Sequence, residues 1–190
     1  MIARTAAPRS LLPALTSARI LAVPAVMALI LAGADHDSAY TWAAVVFAVA
    51  ASTDFVDGYL ARRWAVTTKL GSFLDTTADK LLVSGALIAL VDVDRASAWI
   101  AAIIVGRELL ILGLRGVVAA DGTVFPPSIW GKLKTNVQFI AIFLAIVHWG
   151  DDLGPLRIDE WAMLAAAAIT VVSAVEYVAR FSSALSEGVN

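Results

Sequence analysis

The sequence predicts an all-α membrane protein with six transmembrane helices and both termini in the cytoplasm. Hydrophobic residues make up 60% of the 190-residue chain and charged residues 16%, with a mean hydropathy of +0.82. Soluble domains, in contrast, are about half apolar and about a quarter charged. The apolar residues also fall into six segments of membrane-spanning length, and the basic residues are unequally distributed between the connections.

The six segments follow from the length that a bilayer requires. A helix needs about 20 predominantly apolar residues to cross a hydrocarbon core about 30 Å thick. The connections are rich in charged residues, Gly or Pro, as turns commonly are. No internal repeat or long linker is visible, so residues 1–190 are predicted to form a single domain. The predicted segments are approximately Ala14–Ala32, Tyr40–Ala61, Leu70–Val91, Ala96–Ala120, Ile129–Trp149 and Glu160–Phe181.

The distribution of charge predicts the orientation of the chain. Of the fourteen Lys and Arg residues, only Arg95 and Arg157 fall in the first, third or fifth connection, and these connections are otherwise acidic. Because basic residues accumulate on the cytoplasmic side, both termini and the second connection are predicted to be cytoplasmic. We therefore expect a multi-pass protein of the inner (cytoplasmic) membrane in which any site beside the second connection faces the cytoplasm.

The N-terminal residues allow two interpretations. The stretch before Pro13 is predicted to form a short amphipathic helix on the inner membrane surface, with Arg4 and Arg9 in the headgroup region. The same basic residues, followed by an apolar run that ends in small residues at 32–34, also loosely resemble a signal peptide, whose cleavage would place the new N-terminus outside. The length of the run and Arg19 within it favour a retained span.

Four carboxylates in this apolar chain predict a metal site. Asp54 and Asp57 lie near the end of the second segment, and Asp75 and Asp79 lie near the start of the third. A charged side chain at mid-bilayer costs about 2.5–3.5 kcal/mol even on the insertion scale, so these groups require a compensating partner. The chain has no cysteine and only two histidines. Oxygen ligands alone suit Mg²⁺ or Mn²⁺, and carboxylates from two helices can hold two ions.

Small residues share the predicted faces of these carboxylates. At 100° per residue, five positions of the second helix lie within about 140° of its circumference, and three positions of the third helix follow i+4 steps. Small residues let a diphosphate approach the backbone closely, although in membrane helices they also serve helix packing. The two sets are Asp54, Asp57, Gly58, Ala61 and Arg62, and Gly71, Asp75 and Asp79.

These residues carry a family resemblance. The pattern D-x-x-D-G-x-x-A-R, eight residues, then G-x-x-x-D-x-x-x-D, from Asp54 to Asp79, resembles the signature of the CDP-alcohol phosphatidyltransferases at all eight fixed positions. Further similarity points to the branch that uses sn-glycerol 3-phosphate, although Pro13 and Thr76 stand where that branch commonly has Asn and Pro. The motifs that carry it are L-T-x-x-R (Leu15–Arg19), L-D-x-x-A-D-K (Leu74–Lys80), Arg107-Glu108 and G-K-x-K-T-x-x-Q (Gly131–Gln138).

The resemblance implies an activity and assigns roles to the motif residues. It implies transfer of the phosphatidyl group from CDP-diacylglycerol to sn-glycerol 3-phosphate, which gives phosphatidylglycerophosphate and CMP. Two Mg²⁺ or Mn²⁺ ions would stabilise charge at the diphosphate, and Asp79 would be the general base toward the acceptor hydroxyl. The implied metal ligands are Asp54, Asp57, Asp75 and Asp79, and the implied CDP-diacylglycerol contacts are Asp54, Gly58, Ala61, Arg62, Gly71 and Asp75.

The phosphate of such an acceptor needs cationic groups. Arg107 is the first candidate, because a guanidinium deep in a membrane helix is costly unless paired and Glu108 is expected to point about 100° away; a structural ion pair with a site carboxylate is its alternative role. Lys132 and Lys134 would diverge on a helix, so either one is a snorkelling anchor or the helix begins between them and both reach one anion at its N-terminus. Arg115 and Arg19 complete the set.

Other functions and assemblies are compatible with the same residues. The acceptor could be inositol phosphate, or phosphatidylglycerol as in a cardiolipin synthase. A divalent-cation transporter is a more distant alternative, because intramembrane carboxylates also mark ion pathways. Such a site would be expected at the bilayer midplane, whereas these carboxylates cluster toward one face. Gly106, Gly113 and Gly116 allow close helix contact, and together with the resemblance they predict a homodimer.

Overall fold

The computed structural model describes residues 11–64, 69–120 and 129–187, and these ranges are almost entirely helical. Each helix corresponds to one apolar segment predicted from the sequence, so the prediction of a helical protein is confirmed. The chain divides into two compact units, Met1–Ala89 and Leu90–Asn190; the single-domain organisation stays a prediction. The elements are α1 (Leu11–Ala32), α2 (Asp37–Trp64), α3 (Lys69–Asp92), α4 (Ala98–Ala120), α5 (Ile129–Val147), β1 (Asp152–Leu153), β2 (Leu156–Arg157) and α6 (Ile158–Glu187).

The surface of the helices is apolar to a degree that suits a membrane protein. Among the described residues, α5 (Ile129–Val147) and the part of α6 from Ile158 to Ser182 are long and apolar enough to cross a bilayer. The part of α1 from Thr16 to Ala32 is a shorter apolar helical segment. Large hydrophobic side chains such as Ile88 and Val175 are more than half exposed. Extended apolar surface of this kind is rare on soluble monomers. Two such helices among the described residues do not test the count of six spans, which stays a prediction.

In the first unit, α1 and α2 pack against each other. Val26 and Ile30 of α1 and Phe47 of α2 are almost completely buried. A Cβ built on Gly33, in the turn between the two helices, would lie within 3.0 Å of the Tyr40 ring. Only glycine fits there without moving that ring, so this position fixes the turn that joins α1 to α2.

In the second unit, α6 packs against both α4 and α5. The buried surface is mostly aliphatic, but it also contains polar groups that bond across helices. The Gln138 amide Nε2 on α5 donates to the Thr170 Oγ1 on α6 at 2.8 Å, and Thr170 Oγ1 donates in turn to the Ala166 carbonyl at 2.6 Å. Buried polar groups in an apolar helix bundle are stable only when they are satisfied in this way.

Two helices end in the same motif without glycine. Asp94 after α3 and His148 after α5 adopt positive φ angles of 56° and 52°. The amide of the following residue then bonds back to the helix, from Arg95 N to Leu90 O at 2.8 Å and from Trp149 N to Leu144 O at 3.0 Å. This is the Schellman arrangement, which satisfies carbonyls at a helix C-terminus. It ends α5 at Val147, two residues earlier than predicted.

A short hairpin and a buried carboxylate join α5 to α6. β1 and β2 pair antiparallel, with Asp152 opposite Arg157, around a turn in which Gly154 has a φ of 75°. At the start of α6, the buried Asp159 side chain accepts bonds from His148 Nδ1 at 3.0 Å and from Arg157 Nε at 3.3 Å. The carboxylate thus ties the hairpin to the end of α5 and the beginning of α6.

Candidate active site

The four aspartates lie on two consecutive helices, close to the ends that face the same connection. Asp54 and Asp57 lie in the last three turns of α2, and Asp75 and Asp79 lie in the first three turns of α3. Because the backbone is helical at all four positions, each pair shares one helix face. Trp64 and Lys69 are separated by four residues, so their Cα atoms can be at most about 18 Å apart.

The donor chemistry of this set fits a divalent cation. Carboxylate oxygens are the ligands that Mg²⁺ and Mn²⁺ prefer, and i+3 or i+4 spacing presents two of them from each helix. The Asp79 side chain is partly buried. Among the side chains that the structure describes, no cluster of three metal-ligating residues occurs. Among the predicted site residues, those whose side chains lie outside that description are Asp54, Asp57, Gly58, Ala61, Arg62, Gly71, Asp75 and Lys132.

Among the basic candidates whose side chains are described, Arg19 is the one that contacts the segment bearing the first aspartates. Its side chain is 2% exposed, and its Nη2 donates to Thr53 Oγ1 at 3.4 Å. Thr53 directly precedes Asp54 in α2, and its hydroxyl donates to the Ala50 carbonyl at 2.7 Å. Arg19 therefore links α1 to α2 at the residue where the aspartate motif begins.

A buried charge cluster lies in the second unit, where Arg107 and Glu108 of α4 meet Lys134 of α5. Arg107 Nη1 lies 3.2 Å from Glu108 Oε1, and Lys134 Nζ donates to the same oxygen. The three side chains are at most 10% exposed. The Arg107 Nε is buried and has no hydrogen-bond partner among the described residues. The cluster brings together two of the five cations predicted to bind a phosphate.

The expectation that Glu108 points away from Arg107 is wrong at the level of the side chains. Neighbouring residues on a helix do diverge by 100° at the Cα positions. A guanidinium on three methylenes can nevertheless curl toward an adjacent carboxylate, and burial favours this because a charge in an apolar bundle must be paired. The role of Arg107 in acceptor binding stays a prediction.

The other basic candidates are separated by the helix geometry. Because α5 begins at Ile129, Lys132 and Lys134 both lie inside the helix, and the alternative in which the helix begins between them is wrong. Lys134 is 4% exposed and pairs with Glu108. Arg115 has an exposed guanidinium 5.6 Å from the centroid of the Tyr177 ring on α6, a distance typical of a cation–π contact.

Comparison with known proteins decides the family. The sequence model of the CDP-alcohol phosphatidyltransferase family matches residues 11–172 of this chain. The chain belongs to the CDP-alcohol phosphatidyltransferase family. Members of this family are generally dependent on divalent metal ions, and the resemblance inferred from the aspartate motif is confirmed.

Individual members of the CDP-alcohol phosphatidyltransferase family are similar over most of the chain. A Bacillus subtilis protein named CDP-diacylglycerol–glycerol-3-phosphate 3-phosphatidyltransferase is 39% identical over 182 residues, which cover 90% of this chain and 94% of that protein. A Mycobacterium tuberculosis protein named "Probable phosphatidylglycerophosphate synthase" is 40% identical over 168 residues, 87% of this chain and 78% of its own. A Pseudomonas fluorescens protein with the same name as the first is 35% identical over 156 residues, 79% of this chain and 75% of its own.

Sequence reasoning missed several polar residues of this phosphatidyltransferase. Glu108 was recognised as part of a motif, but its pairing with Lys134, 26 residues away, has no local signal. Thr53 and Thr170 look like ordinary small polar residues of an apolar helix. The one available signal is that a Thr beside a charged motif, or facing a Gln on another predicted span, can act as a hydrogen-bond partner.

Proposed function

We propose that this phosphatidyltransferase transfers the phosphatidyl group of CDP-diacylglycerol to sn-glycerol 3-phosphate, releasing CMP and phosphatidylglycerophosphate. The observation that carries the proposal is the similarity to relatives named for this reaction, which extends over 90% of the chain in the Bacillus subtilis protein. The motif positions agree with it, because all eight lie on helical backbone in α2 and α3.

The reaction exchanges one phosphorus–oxygen bond for another. The acceptor hydroxyl attacks the phosphorus that carries the diacylglycerol, the bond from this phosphorus to the bridging oxygen of the diphosphate breaks, and CMP leaves with the electron pair. The aspartates Asp54, Asp57, Asp75 and Asp79 are proposed to hold two Mg²⁺ or Mn²⁺ ions, which supply Lewis-acid stabilisation at the diphosphate.

The residues around these carboxylates are proposed to bind the lipid donor and move the proton. Gly58, Ala61 and Gly71 leave space on the two helix faces for the CDP group, and Arg62 can pair with a phosphate. Asp79 accepts the proton from the acceptor hydroxyl as the attack proceeds. Asp79 lies one helical turn beyond Asp75 on the same face of α3, and this position supports its assignment as the proton acceptor beside the metal-binding carboxylates.

The acceptor phosphate is proposed to bind to basic side chains. Arg107 and Lys134 are the strongest candidates, because their cationic groups converge on one carboxylate oxygen in a buried place. A phosphate bound there would receive charge-assisted hydrogen bonds, which are about twice as strong as neutral ones. Lys132, Arg115 and Arg19 complete the proposed set.

Activity with defined acceptors tests this proposal. Purified protein in detergent or liposomes would receive radiolabelled CDP-diacylglycerol with sn-glycerol 3-phosphate, inositol phosphate or phosphatidylglycerol, and CMP release and the lipid product would be measured. CMP release is expected with sn-glycerol 3-phosphate. EDTA should abolish this release, and added Mg²⁺ or Mn²⁺ should restore it. Turnover that is greatest with another acceptor would reassign the substrate, and turnover that is unaffected by EDTA would reject the metal mechanism.

The membrane arrangement is proposed to be six spans with both termini and the active site at the cytoplasmic face of the inner membrane. The support is the charge distribution, since the second connection follows the basic Arg62 and Arg63. The chain has no cysteine, so single introduced thiols report accessibility without a background. Thr67→Cys should react with a membrane-impermeant maleimide only after permeabilisation, and Ser97→Cys should react in intact cells. The reverse pattern would invert the topology.

A homodimer is proposed as the working assembly. A Cβ on Gly106, Gly113 or Gly116 of α4 would meet no atom of the described residues within 4 Å. Small residues exposed on one helix are typical of close helix contacts in membranes. The mass of the protein–detergent complex measured by light scattering should therefore correspond to two chains, and Gly113→Leu should shift it toward one. A wild-type mass of one chain would reject the dimer.

A further inference from the structure

A single buried carboxylate oxygen holds two cations that come from different helices. Glu108 Oε1 is 3.2 Å from Arg107 Nη1, and it also accepts a bond from Lys134 Nζ. Arg107 is adjacent to Glu108 on α4, whereas Lys134 lies 26 residues away on α5. Glu108 is 4% exposed. The carboxylate is therefore the group at which Arg107 of α4 and Lys134 of α5 converge.

This arrangement determines the distance between the two cations. Two hydrogen bonds of about 3 Å to one oxygen keep the two nitrogens within about 6 Å of each other. Two like charges at that distance repel in a poorly solvated environment, so they separate unless an anion lies between them. The oxygens of one phosphate can accept from both, because each charge-assisted bond spans about 2.8 Å.

The guanidinium keeps a free donor in this arrangement. The Arg107 side chain is only 10% exposed, and its Nε is buried without a hydrogen-bond partner among the described residues. A buried donor without a partner costs free energy in the free protein. An anion that binds beside Arg107 would recover that cost.

We infer that Glu108 is a positioning residue for the acceptor: it holds Arg107 and Lys134 together so that both cations can bind one phosphate monoester. The inference rests on the proposed function, because it assigns these two cations to the acceptor. Glu108 itself acts through its neighbours and does not need to contact the substrate. A carboxylate is suited to this role because it stabilises the two charges before the acceptor arrives.

The kinetics of three variants test the inference. In Glu108→Gln the charge that holds the cations together is lost, and the KM for sn-glycerol 3-phosphate should rise about tenfold, corresponding to one charged hydrogen bond. The KM for CDP-diacylglycerol and the kcat at saturating acceptor should stay unchanged. Glu108→Asp retains the charge, which favours folding, but it withdraws the carboxylate by one methylene and should give a smaller rise in the same KM. Glu108→Gln added to Lys134→Met should raise this KM no further than Lys134→Met alone.

A matched control separates positioning from a structural role. Thr170→Val breaks a buried polar pair in the same unit, and it should lower the thermal midpoint without changing the acceptor KM. The inference would be overturned if the acceptor KM of both Glu108 variants stayed at the wild-type value or fell. It would also be overturned if the KM values of both substrates changed together.

Calorimetric titration with inorganic phosphate distinguishes failure of this inference from failure of the proposed function. A wild-type protein that binds phosphate, and a Glu108→Gln variant that binds it more weakly, would support the inference even if no transfer to sn-glycerol 3-phosphate occurred. A different outcome would reject this inference and leave the proposed function intact. In that outcome the wild-type protein catalyses the transfer, but Glu108→Gln changes neither phosphate binding nor the acceptor KM. Absence of both transfer and phosphate binding would reject both.

Discussion

The buried hydrogen-bonded pair of Gln138 and Thr170 predicts that replacing Thr170 lowers the stability of the protein more than replacing Gln138 does. Gln138 Nε2 donates to Thr170 Oγ1 at 2.8 Å, and the same hydroxyl donates to the Ala166 carbonyl at 2.6 Å. Gln138 and Thr170 are 2% and 0% exposed. Thr170 therefore keeps a hydrogen bond when Gln138 is removed, whereas the Gln138 amide loses its acceptor when Thr170 is removed.

The magnitudes follow from this asymmetry. Thr170→Val preserves the side-chain shape but leaves an amide group buried without its acceptor, a loss that costs about 1–3 kcal/mol in soluble proteins. Hydrogen bonds between membrane helices average about 0.6 kcal/mol with a maximum of about 1.7, so we expect about 1–2 kcal/mol. Gln138→Met removes the donor and leaves no orphaned group, so its cost should be close to the average of about 0.6 kcal/mol. The double variant should be no less stable than Thr170→Val.

Thermal unfolding of the purified protein in detergent measures these differences. At about 2–4 °C per kcal/mol for a chain of this size, Thr170→Val should lower the midpoint by about 2–8 °C and Gln138→Met by about 1–2 °C. Ser182→Ala is the matched control, because its hydroxyl donates to the Ala179 carbonyl on the exposed part of α6, and the change should leave the midpoint unchanged. The reasoning fails if Gln138→Met costs more than Thr170→Val, or if the double variant loses the sum of both.

Three further predictions concern the charged groups. Asp79→Asn should abolish CMP release, and substantial residual turnover would exclude an essential base. Arg107→Ala should raise the acceptor KM by about tenfold or more, while the same change at the exposed Arg180 should leave it unaltered; equal effects would indicate a general loss of folding. Asp159→Asn weakens the bonds that this side chain makes with His148 Nδ1 and Arg157 Nε and should cost about 1–2 kcal/mol in a thermal-unfolding assay; Asp152→Asn, at an exposed carboxylate, is the control, and an equal loss there would contradict the argument.

The helices could be predicted from the sequence because a bilayer imposes a length. Each predicted segment corresponds to a helix in the structure, and most ends agree within a few residues. The larger differences occur where the sequence carries charge at a helix end. α2 continues through Arg62 and Arg63 to Trp64, and α6 continues to Glu187. Helical hydrogen bonding does not stop where the apolar run stops, so hydropathy predicts the buried part of a helix better than its ends.

The side-chain pairs of the candidate site were harder to predict. A helical wheel gives the direction of a Cα–Cβ bond, but it does not say where the end of a long side chain lies. Arg107 curls back to Glu108, and Lys134 reaches Glu108 from another helix. Such contacts depend on how α4 and α5 pack, which a single sequence does not contain. The aspartate motif could be recognised, in contrast, because its spacing within two helices is itself the signal.

The same limitation applies to the helix ends. Rules for C-caps look for Gly or Asn at positive φ, whereas this chain uses Asp94 and His148. Asp and His are among the residues that tolerate this conformation better than most. The positive φ of His148 is stabilised further, because its ring is hydrogen-bonded to the buried Asp159. A tertiary contact thus selects a local conformation that the local sequence only permits.

The structure also explains the two basic residues that depart from the charge asymmetry. Arg95 Nη1 donates to the Ile146 carbonyl at 2.6 Å, and Arg157 Nη2 donates to the His148 carbonyl at 2.6 Å. Both acceptors lie at the C-terminal end of α5, where carbonyls lack helical partners and the helix dipole favours a positive charge. These arginines cap a helix, so their presence in the acidic connections has a local structural cause. Without them, no Lys or Arg remains in the first, third or fifth connection, and the charge asymmetry that predicts the orientation is stronger than the raw count indicates.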